Sequence, residues 1–195
     1  MFKTIVEVSA RHVHLSQKHL DCLFGQGYQI KKLKDLSQPG MFSTQETLVV
    51  ETIKNKFNNV RIIGPLRNQT QVEISKSDAY YLGINPPIRK SGDLTGSEKC
   101  KLIGPKGEID LEKGVIVAQR HLHLDLQTAE QYNLKNNQLV SVKIDSEKRS
   151  ITFHQIITRV SAEFKPAIHL DTDEGNAAGI KQIEQGIVLK NNEPR

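Results

Sequence analysis

Apolar residues along this chain gather in short runs bounded by polar and turn residues, the pattern of β-strands. Residues 5–8, 47–51, 60–64, 115–117, 139–144 and 151–154 are such runs, rich in β-branched residues, and residues 70–75 alternate apolar with polar, the period of two of a strand with one polar face. Helical signals are few and brief. Ser16 is a good N-cap for a helix through Phe24, with Gly25 as its stop. A second short helix should run from Ser75 to Gly83, and residues 127–139 repeat the theme of short helix, tight turn and strand. Residues 28–36 read as irregular or strand, residues 55–59 as a hairpin loop, and Pro39-Gly40 and residues 104–107 as turns. The sum is a mainly β protein whose small helices plug the ends of barrels.

One phrase recurs within this pattern. Arg11-His12-Val13-His14-Leu15-Ser16 follows the first apolar run, and Arg120-His121-Leu122-His123-Leu124-Asp125 follows the run at 115–117. Each phrase reads as the end of a strand. Side chains two apart on a strand point the same way, so each phrase holds two imidazoles side by side and an Arg on the other face. Such a pair offers two neutral nitrogens to one metal ion. A single His-x-His is most often a surface or core feature, but a duplicated one behind a duplicated strand favours metal binding. The duplication also predicts two domains, with a boundary near residue 90: 1–90 and 91–195, the N-terminal strand being free to pair with the other half.

Composition narrows the chemistry. The chain has 195 residues, 37% hydrophobic and 25% charged, with a net charge of +5 spread over scattered lysines. That surface suits a polyanionic small ligand. With no Trp and 5% aromatics, a stacking platform for single-stranded nucleic acid is not expected. No stretch has the apolar length of a membrane span, and the first strand begins so early that a cytoplasmic protein is expected. Cys22 and Cys100 stand alone, outside any Cys-x-x-Cys pair, and read as free thiols.

Further residues carry two readings each. Glu73 lies on the polar face of the 70–75 strand, as a metal ligand or a solvent-facing residue. Arg67 is a surface charge or a bidentate phosphate ligand. Ser91 is a turn residue beside Gly92 or a substrate contact. His169 ends an apolar strand before an acidic, glycine-containing turn and could complete a zinc site begun by one His-x-His pair. Asp171, Asp173 and Glu174 in that turn could orient imidazoles or simply be solvated. His19 and His154 read as structural.

Taken together, these segments resemble the phosphate propanoyltransferase family, the phosphotransacylases associated with bacterial propanediol utilisation. The resemblance runs from about Val6 to about Gly179. It rests on the Arg-His-Val-His-Leu-Ser opening, Gly64-Pro65 through Arg67 to Glu73-Ile74-Ser75, Asp78-Ala79 with Leu82-Gly83-Ile84, Arg89-Lys90-Ser91-Gly92-Asp93, the second Arg-His-Leu-His, and residues 169–177. It implies two β-barrel domains with short flanking helices, an active site with two zinc ions between them, and acyl transfer between coenzyme A and phosphate. On matching positions it implies His12, His14, Glu73, His121, His123 and His169 as metal ligands, Arg67 as the phosphate-holding catalytic residue, and Tyr80 and Ser91 as substrate contacts. The implied partners are acyl-CoA or CoA and phosphate, without nucleic acid or membrane, and a homo-oligomer is compatible with it. Microcompartment members carry an added amphipathic N-terminal segment that this sequence does not show, which favours the cytosol and makes acetyl-CoA as good a candidate as propanoyl-CoA. Two rival classes stay open on the residues alone: a two-metal phosphoesterase and a zinc-stabilised nucleic-acid-binding module.

Overall fold

The structure, a computed structural model, describes residues 1–180 and 183–189. The described first half forms β1 (Phe2–Ser9), β2 (His12–His14), α1 (Gln17–Phe24), β3 (Lys32–Asp35), β4 (Phe42–Glu51), β5 (Lys56–Gly64), β6 (Gln71–Glu73), α2 (Lys76–Leu82) and β7 (Ile88–Arg89). There follow β8 (Glu98–Ile103), β9 (Glu108–Ala118), β10 (His121–Leu124), α3 (Leu126–Gln131), β11 (Leu139–Ile144), β12 (Ile151–Val160), β13 (Ala167–Asp171), α4 (Thr172–Ala178) and β14 (Ile183–Leu189). The architecture is mainly β. Each apolar run falls on a strand, and α1 and α2 begin at Ser16 and Ser75 because those hydroxyls accept from the backbone N–H groups of His19 and Asp78.

The chain divides into two compact units, and a cut at residue 90 does not describe them. The first comprises residues 1–9, 37–39 and 119–195, and the second residues 10–36 and 40–118. The chain changes unit just before each Arg-His-x-His phrase. What reads in the sequence as one strand running into the histidines is therefore two strands, β1 then β2 and β9 then β10, parted by short breaks at 10–11 and 119–120.

In the first unit six strands close into a barrel in the order β1, β13, β10, β12, β11, β14, with β14 pairing β11 on one side and β1 on the other. Its core is built from Val6, Leu122, Leu124, Val140, Val142, Ile156, Ile168, Leu170 and Val188. The closing strand β14 comes from the tail, in which the sequence reading assigned no strand; residues 181–182 and 190–195 of that tail lie outside the described residues. Gly186 makes the closure sterically feasible, since a Cβ there would stand 2.6 Å from Val6 and 2.9 Å from Val142.

The second unit closes the same way, in the order β4, β5, β2, β6, β9, β8, with β8 returning to β4. Val13, Leu15, Leu20, Leu48, Ile62, Val72, Leu102 and Val115 fill it. The two rings match strand for strand. In each, the histidine strand runs parallel to one neighbour (β5 or β12) and antiparallel to the other (β6 or β13), and the next strand round (β9 or β1) is again parallel. The repeat that is visible as six residues in the sequence is a repeat of the whole barrel.

Candidate metal centres and the polar network beside one of them

The geometry of each histidine pair follows from the strand that carries it. On β2, His12 faces Glu73 of β6 and His14 faces Gln71, as directly opposed antiparallel partners whose side chains share one face. On β10, His121 faces His169 of β13 and His123 faces Ala167. Glu73 and His169 therefore occupy the same position in the two barrels. Each barrel completes a triad: His12, His14 and Glu73 in one, His121, His123 and His169 in the other, with the ligand atoms of each set within 4.8 Å of one another.

Hydrogen bonds settle which ring nitrogens are available. His12 Nδ1 lies 2.8 Å from the carbonyl of Ala10, His121 Nδ1 2.9 Å from that of Gln119, and His14 Nδ1 3.1 Å from that of Ile63. A carbonyl can only accept, so each Nδ1 carries the proton and each Nε2 presents a lone pair. In the second unit His12 Nε2 stands 3.6 Å from Glu73 Oε2, and His14 Nε2 3.9 Å from Oε1. Donors bound tetrahedrally to zinc at about 2.1 Å are about 3.4 Å apart, so only a slight contraction separates this set from coordination.

Burial sets the charge state. Loss of solvent, then the nearby His12 and Arg67, lower the pKa of His14 to about 3. Loss of solvent, with His121 and His169 beside it, lowers that of His123 to about 2. Both imidazoles are neutral at physiological pH, the form that binds metal. Neither ring nitrogen of the buried His123 has a hydrogen-bond partner. An imidazole stripped of water and left without partners is costly unless something else engages it, and a cation is what this donor set fits.

Glu73 is buried, so the polar face of its strand is not a solvent face. Burial alone would raise its pKa, but His12, His14, the Ser91 hydroxyl and Arg67 outweigh it and hold the carboxyl well below the usual range. Ser91 Oγ donates to Glu73 Oε1 at 2.6 Å and accepts from Arg67 Nη1 and from Gln71 Nε2, both at 3.0 Å. Gln71 Nε2 also donates to Glu73 Oε1 at 2.5 Å, and its Oε1 accepts from the N–H of Gly92 at 2.8 Å. Arg67, Ser91 and Glu73 are thus brought together in this unit. Gln71 is the member that the sequence reading missed, although its place two residues before Glu73 on an alternating strand puts it on the same face. Tyr80 lies apart from these bonds, 81% exposed on α2 with its ring facing Lys54 Nζ at 5.2 Å.

Each Arg of the repeated phrase serves to anchor a helix. Arg11 Nη2 lies 2.6 Å from Asp78 Oδ1, and Arg120 Nη1 2.8 Å from Glu174 Oε1. Those acids are the third residues of α2 and α4, where they form capping boxes with Ser75 and Asp171. The acidic stretch after His169 is therefore a capped helix rather than a turn. A carboxylate that does stand beside His169 is Glu7, absent from the sequence-based set. His19 and His154 fill structural roles, bonded at 2.8 Å to Thr70 Oγ1 and Ser141 Oγ. Among the described residues no helix is long and apolar enough to cross a membrane.

Two barrels, each with a triad of side chains that could hold a cation, and one with an Arg-Ser-Gln-Glu hydrogen-bond network beside its triad, are the features the site offers to chemistry. The comparisons make this specific. The family model for phosphate propanoyltransferase matches residues 5–181, and the chain belongs to that family of acyltransferases. It is 47% identical over 174 residues to a phosphate propanoyltransferase of Thermotoga maritima, covering 89% of this chain and 83% of that one. It is 45% identical over 185 residues to one of Clostridioides difficile (95% and 88%), and 43% identical over 185 residues to one of Enterococcus faecalis (95% and 87%). Neither a phosphoesterase nor a nucleic-acid-binding module is favoured by these relatives.

Proposed function

We propose that this phosphotransacylase interconverts a short-chain acyl-CoA, propanoyl-CoA or acetyl-CoA, and phosphate with the acyl phosphate and CoA, using one zinc ion at each triad. The observation that carries the reading is the contact chain in which Arg67, Ser91, Gln71 and the candidate ligand Glu73 are bonded to one another, inside a chain of this family. Zinc bound at such sites supplies a Lewis acid for the thioester carbonyl and a soft acceptor for sulfur.

Arg67 offers phosphate a planar pair of donors, and Ser91 fixes that guanidinium from one side. A phosphate oxygen then attacks the thioester carbon, the C–S bond breaks, and CoA leaves as its thiolate. No acyl-enzyme is required. The Ser91 hydroxyl proton points to Glu73, whose carboxyl is too weakly basic to take it, and the Ser91 oxygen already accepts two hydrogen bonds. Cys100 is buried and its thiol is pushed up to about 12, so it is not a nucleophile at neutral pH.

The test is thiol release from acetyl-, propanoyl- and butanoyl-CoA, with and without phosphate or arsenate, before and after chelation. Release that needs the oxyanion and disappears with the metal is the expected result. Release independent of phosphate, or an acyl adduct trapped on Cys22, Cys100 or Ser91, overturns it.

A further inference from the structure

The two triads differ in charge. His12, His14 and Glu73 place one carboxylate on a divalent ion, whereas His121, His123 and His169 place none. The strand registers show a carboxylate one strand further on. In the first unit β1 runs beside β13 with Glu7 paired to His169, so His121, His169 and Glu7 form a row across three adjacent strands. In the second unit the matching row is His12, Glu73 and Ile116. The carboxylate and the uncharged residue have exchanged places between the copies.

Glu7 Oε2 lies 3.7 Å from His169 Nε2, close to the 3.6 Å between Glu73 Oε2 and His12 Nε2. That separation is too long for a hydrogen bond and suits two donors sharing an ion. The Glu7 side chain is about four-fifths buried, and the Ser37 hydroxyl donates to the same Oε2. Leu33 and the other apolar residues exposed at the surface offer no comparable convergence of groups.

We propose that Glu7 is the fourth side chain of the His121, His123 and His169 site, a carboxylate held ready by Ser37 that ligates the cation beside His169. The inference rests on the reading of the triads as zinc sites. It equalises the two centres in charge, each then holding its ion with one carboxylate, with Glu7 at the edge of its imidazole set and Glu73 within its own.

The experiment compares the wild-type protein with Glu7→Gln, Ser37→Ala and His169→Ala, measuring zinc retention against a competing chelator and the visible absorption of the Co(II)-substituted proteins. Glu7→Gln keeps the shape of the side chain and is expected to lower affinity for one of the two zinc ions by about 10- to 100-fold, the range for groups that support a metal site. Its Co(II) absorption bands should move, and Ser37→Ala should move them in the same direction by less. Unchanged bands and zinc affinity in Glu7→Gln, while His169→Ala loses an ion, overturn the role of Glu7 and leave the zinc reading intact. Two ions retained in His169→Ala overturn the zinc reading itself, and the role of Glu7 with it.

Discussion

The two barrels share strand order, strand direction, the Arg-His-x-His phrase, and a capped helix anchored by that phrase's Arg, yet their polar interiors have diverged. In the second unit β6 presents Gln71 and Glu73 to the histidines; in the first, β13 presents Ala167 and His169 at the same two positions. The Gln71 and Glu73 pair recruits Ser91 and Arg67 into a network fit for an oxyanion. The Ala167 and His169 pair leaves a triad of imidazoles, with Phe164 packed 4.1 Å from the His123 ring. A duplicated scaffold can thus keep two candidate donor triads in nearly the same place while, among the described residues, the Arg67, Ser91 and Gln71 network is built on the second copy.

Removing one imidazole pair at a time should have the largest effect on this comparison. His12→Ala with His14→Ala, or His121→Ala with His123→Ala, should each cut bound zinc by one ion and lower kcat/KM by about 10³-fold, the scale of losing a main electrostatic stabiliser. Elemental analysis and steady-state kinetics check both halves of the statement. If either double variant kept full metal content, its triad would not be a metal site.

The phosphate assignment distinguishes the two copies more sharply. Arg67→Ala should raise the KM for phosphate by about 10- to 150-fold, equivalent to ~1.5–3 kcal/mol for a charge-assisted contact, and change the KM for acyl-CoA much less. Equal changes in the two constants would place Arg67 elsewhere in the reaction.

The copies should fail together under acid. An unfolded His takes up a proton near pH 6.5, but His14 and His123 in the folded chain resist it down to about 3 and 2, burial being the main cause in each. Between these limits the unfolded state binds more protons, so stability rises with pH and is lost as pH falls below about 6.5. Metal-free protein should show a lower urea midpoint at pH 5 than at pH 7. Equal midpoints would mean that these two imidazoles are protonated in the fold without penalty.

The smallest effect concerns how the barrels close. Gly186 lets β14 pass against Val6 and Val142, while its counterpart β8 presents Cys100 and Leu102 to the core instead. Gly186→Ala should cost about 1–3 kcal/mol through overpacking, read as a lower denaturant midpoint with zinc content unchanged. A neutral result would show that β1 and β11 can move apart at no cost.

Much of this was legible in the chain itself. A side-chain period of two is a local property of extended backbone, so the duplicated phrase alone dictates two imidazole pairs, and Ser16, Ser75, Gly25 and Gly83 dictate the ends of two short helices because capping involves residues only a few positions apart. Strand neighbours are set over long separations, and no local rule supplies them. Only the tertiary structure put Glu73 opposite His12 and His169 opposite His121, buried Gln71, placed β1 and β9 in different units from the histidines that follow them, closed a barrel with β14, and set Glu7 beside His169. A closed barrel decides such matters because pairing every strand edge while filling one core constrains all six strands at once, whereas the sequence of any one of them leaves several partners open.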